Sequence, residues 1–412
     1  MLQSKKLSLQ QIKQVDMDFK DQIKELTHKY FDEIVGIRRH IHENPELSFE
    51  EYNTSKYICS KLDEYGISYK SGYVKTGIIG KIEGKNPDKK IIALRADMDA
   101  LPIHESEDHS VKSCNAGVMH ACGHDAHSAS LLGTAKILSE LKDQWEGTIL
   151  LIFQPGEEKF PGGAKLMMEE GALDHPKPEI IIGQHVLPDM ETGHVGFKEG
   201  MYMASGDEVY LTIKGKGGHA AMPHTLNDNV LIAANIIVSL QQIVARMVPA
   251  NIPTVLSFGR VIADGATNII PEKVEIAGTL RTMNEEWRAK IKAYIRKMAS
   301  EIAQSMGATC EIKINDGYPV VTNSEYVTEL AHKSACEYLG QEYVHKMDIR
   351  MTAEDFGYYT QEYPCTFYRF GVKQMNNKPT GGLHTPGFDL NESSLETSVG
   401  LMAYIALDVL AQ

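Results

Sequence analysis

Residues 205–314 interrupt an otherwise regular alternation of strands and helices, and this break constrains the fold more than any other feature of the chain. Apolar spacing there predicts a strand at 208–213, a helix at 226–247, strands at 254–262 and 273–282, a helix at 285–306 and a strand at 309–314. That βαββαβ order is ferredoxin-like and can close as a compact domain by itself. Before it, Phe19, Ile23, Leu26, Tyr30, Ile34, Ile37 and Ile41 recur at steps of three and four, which predicts an amphipathic helix over 18–42. A helix at 50–65, strand 91–94, helix 125–142, strand 148–153, helix 162–170 and strand 179–182 follow, and after the break come helix 324–339, strand 365–370 and helix 391–410. Such alternation implies an α/β domain with a largely parallel sheet. The expected organisation is therefore a first part over 18–204, an insertion over 205–314 and a second part over 315–412. A length of 412 residues, too great for one ordinary core, agrees with two domains.

The net charge of −13, with no clustered excess of Lys and Arg, argues against a nucleic-acid partner, because phosphate neutralisation needs such a cluster. No leader is expected, since Met1 to Leu7 runs into a charged stretch, and no run approaches the ~20 apolar residues of a membrane helix. Cysteines 59, 114, 122, 310, 336 and 365 are scattered without CxxC pairs, which suits reduced thiols and a cytoplasmic location.

Polar clusters fall just beyond three of the expected strands: Asp97 and Asp99 after 91–94, Glu157 and Glu158 after 148–153, and His185 after 179–182. Open α/β sheets place their sites at those carboxyl ends. Two further clusters, His120 to His127 and His384-Thr-Pro, lie in loops or at a helix start. The first supplies a thiol and three imidazoles within eight residues at the entry to a helix, where the helix terminus favours the thiolate that binds metal. Cys122 and His124 diverge in a regular helix, whereas a turn at Gly123 makes them converge. Glu157 and Glu158 follow the turn Gln154-Pro-Gly, so one can ligate a metal while the other faces the attacking water.

Six motifs in order, Arg39-His-Ile-His-Glu-Asn-Pro-Glu-Leu, Arg95-Ala-Asp-Met-Asp-Ala-Leu-Pro, Met119-His-Ala-Cys-Gly-His-Asp-Ala-His, Gln154-Pro-Gly-Glu-Glu, Gly215-Lys-Gly-Gly-His-Ala-Ala and His384-Thr-Pro-Gly-Phe, give the chain its family likeness. It resembles the amidohydrolase branch of the aminoacylase/carboxypeptidase G clan of two-metal hydrolases. The resemblance implies Cys122 as bridging ligand, His124 and His185 completing one metal site, and Glu158 and His384 the other. It implies Glu157 as general base, Asp99 as a supporting carboxylate, and His219 as a donor to the developing oxyanion, often across a dimer. Asn268, in Thr267-Asn-Ile-Ile-Pro, and Arg281, in Gly278-Thr-Leu-Arg-Thr, resemble positions that bind the substrate carboxylate. The insertion is then a lid and homodimerisation surface.

One sulfur, three imidazoles and one carboxylate suit two borderline cations such as Zn, Mn, Co or Ni better than Mg or Ca. The implied reaction is hydrolysis of the amide bond of small N-acyl amino acids, with a dipeptidase or aminopeptidase of the same clan as the alternative.

Overall fold

The computed structural model describes residues 18–374 and 380–412, so the Met1 to Leu7 stretch read for a leader lies outside the described residues. Eight strands form the central sheet, in the order Ser68–Tyr73, Gly77–Glu83, Thr148–Gln154, Ile91–Asp97, Ile180–Glu191, Cys365–Lys373, Val195–Phe197 and Val344–Lys346. Ile91–Asp97 runs parallel to both neighbours, and Cys365–Lys373 runs parallel to Ile180–Glu191. The sheet is thus parallel at its centre. Ser68–Tyr73 and Gly77–Glu83 add an antiparallel hairpin at one edge.

Thr148–Gln154 is buried along its whole length, which is why it reads as a continuous apolar run. Its side chains alternate between two cores: Ile149, Leu151 and Phe153 pack with the helices Phe19–Glu43, His124–Glu140 and Ser394–Ala411, while Leu150 and Ile152 pack with Ala164, Met167, Phe356 and Tyr359. The centre is therefore covered on both faces, and the carboxyl edge of its strands is left for a site.

The second sheet has the order Thr254–Ile262, Lys273–Thr282, Asp207–Lys214, Thr309–Asn315 and is antiparallel throughout. This strand order closes the βαββαβ chain as a ferredoxin-like layer, and the helices Asn229–Gln242 and Glu285–Ser305 share its core. Asp228 and Asn284 cap those helices by accepting from Leu231 N at 3.0 Å and Trp287 N at 2.9 Å. The first helix accordingly starts at Asn229 instead of the expected 226.

Two helices among the described residues, Asn229–Met247 and Ser394–Ala411, are long and apolar enough to cross a membrane, which corrects the expectation that no run approached that length. Packing accounts for both. Ser394–Ala411 is mostly buried between the core helices, and the other lays Ile232, Ile236, Leu240 and Ile243 on the lid core. Val230, Leu231 and Val238 remain exposed on its outer face.

Candidate metal centre

Backbone geometry at the carboxyl edge brings the ligand-type residues together. Asp97 ends the strand Ile91–Asp97, and Gln154 ends Thr148–Gln154 before a turn at Gly156 (φ 62°) presents Glu157 and Glu158. Gly123 has φ 81°, and a Cβ there would stand 2.7 Å from Val186 Cγ2, so only glycine lets the chain reverse between Cys122 and His124. His185 lies within the strand Ile180–Glu191 and not past its end, as the sequence had suggested. The neighbouring Ile91–Asp97 pairs with that strand only as far as Gly183, so His185 still faces the open edge. His384 adopts a left-handed φ of 60°, and its backbone N donates to Ala121 O at 2.8 Å, pinning its loop beside Cys122.

Donor atoms of Cys122, His124 and His185 lie within 4.8 Å of one another, and so do those of Cys122, Glu158 and His384. Cys122 is common to both groups. Its Sγ is 3.5 Å from His185 Nε2, and Glu158 Oε1 is 3.0 Å from His384 Nε2. Buried His124 Nε2 makes no hydrogen bond, although buried polar atoms are normally satisfied, and Glu158 Oε1 has only the His384 imidazole beside it. Two of the three histidines are oriented from behind. His185 Nδ1 donates to Val186 O at 2.8 Å, and His124 Nδ1 faces Asp99 O at 3.0 Å and Asp99 Oδ1 at 3.1 Å, leaving both Nε2 atoms aimed at the centre. Orphaned atoms around a shared sulfur fit two borderline divalent cations.

The electrostatics agree. Burial and Arg369 push the His185 imidazole well below its usual range, keeping it neutral as a ligand must be. Burial alone would lower His124, but Asp97 and Asp99 outweigh it and lift the imidazole to about 10, so a bound cation is what would displace its proton. The Cys122 thiol is pushed up by burial and then by Glu158 and Glu157, against the expectation that the helix start would favour the thiolate. The carboxylates outweigh the helix terminus, so a bound cation is what would hold the sulfur deprotonated.

Residues 93–408 match Peptidase family M20/M25/M40. The chain belongs to this family. An N-acyl-L-amino acid amidohydrolase from Geobacillus stearothermophilus is 41% identical over 304 residues, covering 74% of this chain and 81% of that protein. The IAA-amino acid hydrolase ILR1-like 5 of Arabidopsis thaliana is 39% identical over 385 residues, 92% of this chain and 86% of its own length. Among solved structures, a dinuclear metal-binding peptidase of the M20 family from Bacillus subtilis superposes with a TM-score of 0.81 at 34% identity, covering 93% of this chain and 99% of that one. The chain is therefore a metal-dependent hydrolase of the M20 type, with a site suited to two metals.

In this M20 hydrolase, Glu157 is buried beside the ligands, with Oε2 4.0 Å from His124 Nε2. Burial, Glu354 and Glu158 raise its proton affinity well above that of an ordinary carboxylate. Asp99 accepts from Ser48 Oγ at 2.6 Å and from Glu158 N at 2.9 Å, so it orients both His124 and Glu158.

The sequence reading gave no role to Arg95, Glu354 or Asp355, which support these residues from beneath. Arg95 donates to Asp97 Oδ2 at 2.6 Å, Glu354 Oε1 at 3.1 Å and Asp355 Oδ1 at 3.0 Å, and Gln154 Nε2 reaches Asp355 Oδ2 at 2.8 Å. Asp97 in turn lies 2.6 Å from His127 Nδ1, and His127 Nε2 accepts from Val186 N at 3.0 Å, which gives His127 a supporting place. The adjacent acids Glu354 and Asp355, set against apolar Phe356, were the available signal.

The lid contributes unevenly. Arg281 lines the pocket over Cys122, Glu157 and His384, together with Phe160 and Leu383. His219 and Asn268 do not line it: both are exposed, on the two-stranded ribbon where Gly218–His219 pairs with Ile269–Ile270. There Ala220 N donates to Asn268 O at 3.0 Å, and His219 Nδ1 accepts from Ala221 N at 3.1 Å.

Proposed function

We propose that the chain hydrolyses the amide bond of N-acyl-L-amino acids to a carboxylic acid and a free amino acid. The observation that carries this reading is Cys122 Sγ shared by two donor groups with Glu157 buried alongside. Bound divalent cations at this site supply the charge that acidifies water and polarises a scissile carbonyl. Cys122, His124 and His185 would hold one, and Cys122, Glu158 and His384 the other. Glu157 takes a proton from the attacking water at its carboxylate oxygen and returns it to the departing amine nitrogen. Asp99 fixes His124 and Glu158 without joining the ligands. Arg281, on the pocket wall, receives the substrate carboxylate through its fork of donors.

His219 and Asn268 serve the site of a second copy in a homodimer joined through the lid. Exposure of Leu231, Val238, Val261, Ile262 and Ile269 on that domain supports such an interface. Six unpaired cysteines support a cytoplasmic location.

The test is a panel of acetyl-, benzoyl- and aminoacyl-amino acids assayed with protein reconstituted separately with Zn, Mn, Co and Ni. Release of free amino acid from the acetyl or benzoyl substrates is expected. Turnover confined to the aminoacyl substrates would replace this reading with a dipeptidase.

A further inference from the structure

Four arginines are buried among the described residues, Arg38, Arg95, Arg288 and Arg369. The first three each grip a carboxylate: Arg38 binds Asp125 at 2.7 Å, Arg95 binds Asp97 at 2.6 Å and Arg288 binds Asp207 at 2.7 Å. Arg369 has no such partner among the described residues, although it is only 3% exposed. Its Nε donates to Tyr202 Oη at 3.0 Å, and its Nη2 faces Met203 Sδ, a weak acceptor, at 3.1 Å. Arg369 is aligned with His185 across parallel strands, so both side chains leave the same face of the sheet and the guanidinium stands beside the metal centre.

Arg350 stands next to it. Its backbone is tied to the neighbouring segment, N donating to Tyr202 O at 2.8 Å and O accepting from Ala204 N at 3.0 Å. Its Nε is buried without any hydrogen-bond partner, and the side chain forms no ion pair among the described residues. Burial, and then the charge of Arg369, lower the Arg350 pKa, so the two cations feel each other. Acidic groups on the same wall act on them only at a distance: Glu354, which feels Arg369, is bound by Arg95 at 3.1 Å, and exposed Asp189, which feels Arg350, forms a salt bridge with neither arginine among the described residues. Two adjacent guanidiniums on the wall of a substrate pocket, neither in a salt bridge with a protein carboxylate among the described residues, can receive an anion.

We infer that Arg350 and Arg369 form an anion subsite that binds a second carboxylate on the substrate, so that N-acyl amino acids carrying an additional acid group are the favoured class. The inference rests on the hydrolase reading above and narrows its substrates. It is separate from Arg281, which reaches the pocket from the lid and is reserved for the α-carboxylate. Two sources present the same chemistry: a dicarboxylic acyl arm, such as succinyl, or an acidic amino-acid side chain.

Metal-reconstituted full-length protein is assayed on pairs that differ only in charge: N-acetylglutamate against N-acetylglutamine, and N-succinylalanine against its terminal amide. In at least one pair the acid should exceed the amide by roughly tenfold or more in kcat/KM, chiefly through KM, and the pair that shows it identifies the source. In Arg350→Gln the acid-to-amide ratio should collapse toward one at unchanged metal content, whereas Arg369→Lys, which keeps the charge, should retain part of it. Equal rates on acid and amide in both pairs overturn the subsite and leave the hydrolase reading standing. A preference that survives both Arg350→Gln and Arg369→Gln also overturns it. Absence of turnover on every N-acyl amino acid overturns the hydrolase reading, and calorimetric binding of glutarate then decides the subsite: affinity weakened about tenfold by Arg350→Gln supports it, and unchanged affinity refutes it.

Discussion

The α/β domain and the lid hold the residues expected at the site in opposite ways. Asp97, Asp99, His124 and His127 are buried and held by partners, whereas His219 and Asn268 lie exposed on a short ribbon and Arg281 stands half-buried without an ion pair. A low-dielectric interior strengthens satisfied networks and makes broken ones costly, so the ligand-bearing side is rigid before anything binds. On the reading proposed above, the lid residues meet their partners only when substrate or a second copy arrives. One half of the molecule is thus preorganised for cations, and the other is left available.

The largest effect expected on this contrast comes at Glu157. Glu157→Gln should keep both metals by elemental analysis yet lower kcat by about 10²–10⁴-fold, the usual contribution of a positioned acid–base group. Near-normal turnover in metal-replete protein would remove Glu157 from the chemistry. His219→Ala comes next, with kcat reduced roughly 10²-fold and metal affinity untouched, as expected for a donor that acts on charge formed during reaction. Mixing this variant with Glu157→Gln should restore activity if His219 serves the other subunit, and mixtures no more active than their parents would place it in its own.

Asp99→Asn should act in the opposite sense, weakening metal binding by about 10–100-fold in a competitive titration, because Asp99 orients His124 and Glu158. Unaltered affinity would show that the buried network is not what holds the ligands. The smallest effect concerns acid stability at the rear of the site. Burial would raise the Glu105 carboxyl, but contacts from His42, His109 and Ser113 N outweigh it and depress it to about 2. A depressed folded pKa contributes stability that is present above the unfolded value near ~4.3 and lost as pH falls toward the folded one. Urea midpoints should therefore drop between pH 5 and 2, and Glu105→Gln should flatten that slope.

Much of the architecture was legible because burial on both faces leaves unmistakable apolar runs such as Thr148–Gln154, and because the alternation of Asp207–Lys214 matches a one-sided sheet. The edge hairpin escaped notice since Ser68–Tyr73 is polar and largely exposed, with no alternation to read. At the site, Cys122, His124, Glu157, Glu158 and His384 were visible as chemistry-bearing residues next to turn signals. Arg350 and Arg369 were not, for they sit in ordinary-looking stretches far along the chain from Arg95 and His185, and Glu354 and Asp355 offered only their adjacency before Phe356.

The sequence by itself determined the α/β frame, the inserted βαββαβ unit and the inventory of ligand types, because periodicity and residue chemistry are local properties. Only the tertiary structure decided which charges are neutralised and which are left open. Arg95 and Arg369 look alike in sequence, yet one is locked among carboxylates and the other lines the pocket with no salt bridge among the described residues. Pairing of buried charges depends on distances across strands and loops, and those distances exist only once the chain has folded.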